Sequence, residues 1–202
     1  MIRFGTKPST STIKPYIRHC QNLDFNYPYV GQTRDLIDEG DAPRGFRLDR
    51  FLYPVGHGQK VFNAVTKAIS QWEMFNHPMS ELNYLNPEIK SGNTVVVVFG
   101  MMGLWTVNPA RIIYEIENSR QQGKIKQAGF AYGTTIGHIA IGEELFHVDW
   151  NLETDEVNFR ITVFSRPGSL LPWVGKPYML YQQKRFRRMA AQAISTKCNG
   201  IC

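Results

Sequence analysis

The chain has 202 residues, 43% of them apolar and 20% charged, which allows one domain with a full hydrophobic core and argues against a disordered or fibrous polymer. Lys plus Arg outnumber Asp plus Glu by 23 to 17, and much of the excess sits in one run, Lys184-Arg185-Phe186-Arg187-Arg188, which suits a solvated helix end. Three cysteines, Cys20, Cys198 and Cys202, are too few for a disulfide framework or a zinc cluster and fit a reducing, cytoplasmic setting.

Residues 1–44 carry Pro8, Pro15, Pro28 and Pro43 without sustained periodicity. They read as an irregular arm, anchored on the domain by Phe25, Tyr27 and Tyr29, with no apolar stretch of the secretory-signal kind. Residues 45–55 mix Phe46, Leu48, Phe51 and Tyr53 with charges and predict a first strand. Gly56-His57-Gly58 punctuates the chain, and Phe62, Val65, Ile69 and Trp72 then recur at helical spacing until Asn76-His77-Pro78. From Asn93 the period falls to two, predicting strands at 95–99, 104–107, 112–117, 129–135, 139–150 and 156–165. The apolar run at 94–106 is about half the length needed to span a bilayer. A final helix is expected over 176–194, with Pro177 in its first turn and an apolar stripe of Met179, Phe186, Ala190 and Ile194. A tail occupies 197–202.

Strand, helix, a run of strands without crossover helices and a last long helix predict an α+β domain over 45–196. A curved antiparallel sheet gripping the C-terminal helix satisfies this order, and a curve too wide for one helix leaves room for a ligand.

Several motifs stand in a recognisable order. They are Tyr27-Pro28-Tyr29-Val30-Gly31-Gln32-Thr33-Arg34, then Gly56-His57-Gly58 with Phe62, Ala64 and Trp72. Phe130-Ala131-Tyr132-Gly133-Thr134 and Gly137-His138 follow, then Gly142-Glu143-Glu144-Leu145-Phe146, and finally Ser165-Arg166-Pro167 with Gln182. In these the chain resembles the DUF1990 family, also called UPF0548, from about Leu23 to Ala193. The resemblance implies a helix-grip fold similar to Bet v 1 and START-like proteins, which commonly enclose lipophilic ligands. It implies no reaction, because the family's name carries none. The residues before Leu23 and the Cys-containing tail inherit nothing from it.

The densest polar group is Tyr132, His138, Glu143, Glu144, His147 and Asp149. If Phe146, Val148 and Trp150 face inward, alternation carries Glu144 inward and Glu143, His147 and Asp149 outward. A carboxylate facing an apolar interior has its charged form disfavoured, as a proton carrier near neutral pH requires. It serves equally as a structural ion pair at the sheet end. Arg166 or Arg185 is expected to pair with Glu144 or to hold an anionic ligand. Trp72, Trp105 and Phe146 are expected to contact an apolar ligand body, with Tyr132, Arg166, Gln182 and Arg185 at its polar end. No recognised metal-ligand spacing, dinucleotide loop or nucleophile elbow occurs, so no metal or cofactor is expected, and no nucleic-acid partner. Three functions fit: binding of a small lipophilic or amphipathic molecule in an internal cavity; an isomerase, cyclase or hydrolase with Glu144 or His138 as proton carrier; and a scaffold or peripheral anionic-membrane contact through the basic C-terminal helix.

Overall fold

The computed structural model describes residues 2–4, 6–101, 104–121, 123–168 and 176–198. Among the described residues eight strands form one antiparallel sheet: β1 (Ile2–Phe4), β2 (Arg47–His57), β3 (Ser80–Tyr84), β4 (Thr94–Met101), β5 (Leu104–Gln121), β6 (Ile125–Thr134), β7 (Ala140–Asn151) and β8 (Glu156–Pro167). Their order is β2-β8-β7-β6-β5-β4-β3, with β1 added to β5. Among the described residues three α-helices accompany them: α1 (Thr10–Cys20), α2 (Gly58–Ser70) and α3 (Lys176–Cys198).

The period of two in β6, β7 and β8 puts Phe130, Phe146, Val148, Phe159 and Ile161 on the concave face. The stripe Val61, Phe62, Val65, Ala68 and Ile69 of α2 and the stripe Phe186, Ala190, Ala191 and Ile194 of α3 pack onto it. Fully burying one such side chain contributes about 1.5–3 kcal/mol. Curvature has identifiable sources. Register shifts interrupt β2 between Pro54 and Gly56, and β5 between Ile112 and Tyr114 and again between Ile116 and Ser119, and each bulge bends its strand. Gly142, at φ +149°, lies so close to β8 that a Cβ would stand 2.0 Å from the Phe164 carbonyl oxygen.

The arm is more ordered than its prolines suggest. Ile13, Ile17 and Cys20 of α1 are buried, and the two isoleucines pack with Val96, Val98 and Val107 on the convex face. Pro15 lies inside this helix. The strands expected at 104–107 and 112–117 are one continuous strand, β5, which runs through Pro109. There the carbonyl of Pro109 accepts from Thr135 N–H, where β6 ends. Strand β3 had no counterpart in the sequence pattern. Trp173, the Met179 and Gln182 side chains and Cys202 lie outside the described residues. Among the described residues no helix is long and apolar enough to cross a membrane.

Candidate functional site

Alternation along Gly142-Glu143-Glu144 turns two neighbouring carboxylates to opposite faces of β7, and their surroundings differ completely. Glu143, on the convex face, is buried. Its Oε2 accepts from Tyr27 Oη at 2.8 Å and Gly31 N at 2.7 Å, and its Oε1 from Thr33 N at 2.9 Å and Thr33 Oγ1. The motif around Tyr27, Gly31 and Thr33 is therefore the receptor of this one carboxylate. Gly31, at φ +89°, turns the chain so that two backbone N–H groups converge on it. Tyr27, Phe25 and Phe46 add edge-on aromatic contacts that include Phe164. The role of this group is to fasten the arm.

Glu144 lies in a cross-strand row on the concave face: Tyr132 of β6, Glu144, Val163 of β8 and Asp49 of β2. Tyr132 Oη donates to Glu144 Oε2 at 2.8 Å. Arg187 of α3 reaches over the row. Its guanidinium stands 4.3 Å from the centroid of the Phe51 ring, and its Nη2 is 3.6 Å from Asp49 Oδ2. Asp49 is already held by Arg47 Nε at 3.0 Å. Arg187 Nη1 is buried and has no hydrogen-bond partner among the described residues. Glu144 keeps part of its surface accessible, as do Asp49, Phe51, Tyr53 and Phe99. Burial pushes the Glu144 carboxyl above its ordinary range, while Arg187 and the Tyr132 hydroxyl pull the other way. Burial likewise lowers the Arg187 guanidinium, opposed by Glu144 and Asp49. Phe75, Phe99 and Phe186 close one side of the row, with centroids 5.5 Å apart for Phe75–Phe186 and 5.6 Å for Phe99–Phe186.

Of the residues singled out from the sequence, Tyr132 and Glu144 come together. Trp105 does not join them. It packs with α1 on the convex face, because Phe99, opposite Thr106, holds the concave position at that end. Trp72 and Phe146 are core side chains, the first donating from Nε1 to the Pro87 carbonyl and packed on Phe130, the second buried against Phe75 and Phe130. Arg166 is exposed, with its guanidinium over the Phe46 ring on the outer side. Arg185 is exposed on α3; the cation that faces Glu144 is Arg187, two residues further on. The basic run thus splits, with Phe186 and Arg187 turned inward and Lys184, Arg185 and Arg188 in solvent. His138 sits in the β6–β7 connection with Nδ1 turned onto Ala140, and burial lowers its pKa to about 4. No hydrogen bond links it to Glu144 among the described residues.

His147 and Asp149 stand on the convex face with Arg160, which donates to Asp149 Oδ2 at 3.0 Å, to Asp38 Oδ1 at 2.7 Å and to the Ile37 carbonyl at 3.0 Å. Among the described residues no group of three His, Cys, Asp or Glu side chains is arranged to hold a metal ion.

The family model described as "Domain of unknown function (DUF1990)" matches residues 26–193, and the chain belongs to this family. A UPF0548 protein of Dictyostelium discoideum is 30% identical over 191 residues, covering 89% of this chain and 88% of the relative. A UPF0548 protein of Arabidopsis thaliana is 26% identical over 199 residues, with 96% of both chains covered. Among solved structures, that of Ara h 8.0201 superposes with a TM-score of 0.48 at 10% identity, covering 77% of this chain and 99% of that one.

Proposed function

We propose that this DUF1990 protein binds a small amphipathic molecule between the concave face of its sheet and α3, without a cofactor. The polar end of the ligand meets Glu144, Tyr132 and Arg187, and its apolar part lies along Phe51, Phe99 and Phe186. The observation that carries this reading is the half-accessible Glu144 carboxylate. It stands beside the apolar core with Tyr132 and Asp49 in its row, opposite a buried arginine with an unspent donor. Polar groups so placed cost stability unless something answers them, and convergent polar groups beside an apolar wall are what ligand sites consist of.

The test is to purify the full chain from a lipid-containing extract and identify bound small molecules by native mass spectrometry, for the wild type and for Glu144→Gln and Arg187→Met. The reading expects a compound that accompanies the wild type and is lost from Arg187→Met, while Glu144→Gln, which keeps an acceptor for Tyr132, retains it. Recovery of no compound, together with an interior filled by side chains in a crystal structure, overturns it.

A second reading rests on the raised carboxyl of Glu144 and its bond to Tyr132: an isomerase, cyclase or hydrolase that uses Glu144 as proton carrier on a lipophilic substrate. Glu144→Gln then abolishes turnover and leaves binding and folding intact. Turnover that persists in Glu144→Gln overturns this second reading.

A further inference from the structure

The charges around Glu144 say more about the ligand than that it is amphipathic. Facing Glu144 are Tyr132 from β6, Asp49 from β2 with Arg47 beyond it, and Arg187 from α3. Tyr53 of β2 lies within electrostatic reach of Arg187 and Arg188. The segment after α2 brings Phe75, and His77 in that segment is turned onto Met79 N and Ser80 Oγ. With every group in its ordinary state, two arginines balance two carboxylates.

The balance is uneven in space. Asp49 accepts two hydrogen bonds from Arg47, and its link to Arg187, at 3.6 Å, is an ion pair without a hydrogen bond. Arg187 therefore shares a counter-charge that is already engaged, and its Nη1 has no partner among the described residues. A guanidinium presents its donors as a planar fork that matches a carboxylate.

Building on the binding role proposed above, we infer that the ligand is an apolar-tailed carboxylate received by Arg187, and that it binds together with one proton taken up by Glu144. The unspent Arg187 donor supplies the recognition. The proton follows from charge: an added carboxylate leaves three anions facing two arginines in a desolvated place, and removing the charge of Glu144 is the least costly relief. Oε2 of Glu144 continues to accept from Tyr132 while the new O–H on Oε1 donates to the ligand. Ligand anion, proton and ionised protein give one neutralised Glu144 and one arginine–carboxylate pair, so atoms and charge balance. A neutral head group offers Arg187 no counter-charge and takes up no proton.

The probes are dodecanoate and 1-dodecanol, matched in chain length, titrated below their aggregation limits into the full chain. Calorimetry is run at pH 7 and pH 8 in two buffers of different ionisation heat. Dodecanoate is expected to bind at least tenfold tighter than the alcohol, with up to one proton taken up. Its affinity is expected to fall tenfold per pH unit once Glu144 is ionised in the free protein. Arg187→Met should remove the preference for the acid. Should that variant not fold, Arg187→Lys keeps the charge without the fork and should narrow the ratio. Glu144→Gln should bind dodecanoate with no proton uptake and no pH dependence between 7 and 8. Equal binding of acid and alcohol overturns the carboxylate assignment and leaves the binding role standing. Proton uptake that persists in Glu144→Gln places the proton elsewhere and overturns the coupling. Binding of neither compound counts against the binding role itself.

Discussion

Replacing Glu143 by Gln tests how the arm is held. The carboxylate serves four donors, two on each oxygen: Tyr27 Oη and Gly31 N on one, Thr33 N and Thr33 Oγ1 on the other. A glutamine keeps one oxygen and turns an NH2 group toward the other pair. A hydroxyl can rotate to accept from that NH2, but a backbone N–H cannot. Whichever way the amide is set, Gly31 N or Thr33 N is stranded, at about 1–3 kcal/mol. The two remaining bonds lose an ionised acceptor, roughly a further 1 kcal/mol each. The expected loss is therefore about 3–5 kcal/mol, a large part of the ~5–15 kcal/mol typical of a domain. Urea unfolding followed by tryptophan fluorescence measures it, and trypsin cleavage at Arg34 or Arg44 reports whether the arm has lifted. Glu144→Gln is the matched control: it strands no donor, weakens the bond from Tyr132 and removes one of the two carboxylates that face Arg187, so a smaller loss of about 1–2 kcal/mol is expected. Equal midpoints for the two variants, with no added cleavage in Glu143→Gln, would refute the assignment of Glu143 as the anchor.

Burial, helped by nearby Arg160, holds the His147 imidazole at about 3 against an ordinary 6.5. The unfolded chain thus binds a proton between these values that the folded one refuses, and stability falls as pH drops from 6.5 toward 3. His147→Leu removes that penalty, so relative to wild type the variant should gain about 2 kcal/mol between pH 7.5 and pH 5.0 in urea titrations. A difference that does not move with pH shows the histidine to be accessible. A Cβ at Gly133 would meet Tyr27 Oη at 2.1 Å and Ile113 Cδ1 at 2.9 Å. Gly133→Ala should therefore cost about 1–3 kcal/mol and, by displacing Tyr27, share the proteolytic signature of Glu143→Gln. Ile17 is fully buried against the convex face; Ile17→Ala should cost about 2–5 kcal/mol in chemical unfolding, whereas a loosely attached α1 predicts almost none.

Much of the fold was legible because β6, β7 and β8 have one face buried in the main core. Alternation therefore located Glu144 and separated it from Glu143. The signal failed where both faces carry apolar side chains. Val95 to Val98 are all buried, two facing the main core and two facing α1, so no alternation distinguishes the faces, and nothing in the pattern tells that Trp105 packs on the convex one. Helix α1 leaves a weak sequence signal because Pro15 lies inside it and the polar residues between Ile13, Ile17 and Cys20 mask a stripe that is nonetheless at helical spacing. Arg187 was lost in its basic run. In a helix it is an immediate neighbour of Phe186, and Ala190 follows one turn later, so its face was predictable from the stripe already drawn. Its charge, which suggested solvent, prevailed over its position.

The two glutamates of β7 show how one strand divides structural from functional demands. A buried carboxylate is tolerated when hydrogen bonds replace its water, and Glu143 has its four donors supplied by the chain itself. Its surroundings are complete, and a ligand could only displace what is already optimal. Glu144 has one donor, a shared cation and accessible surface. Incomplete satisfaction of this kind lowers stability, and a binding partner can restore what the fold leaves open. The separate matching motifs at Tyr27–Thr33 and Gly142–Phe146 are thus two halves of one anchor on the convex side. That anchor fixes the register of β7, and the register delivers Glu144 beneath Arg187. A one-residue slip would turn every β7 side chain to the other face, taking Phe146 and Val148 out of the core and putting Glu143, His147 and Asp149 into it.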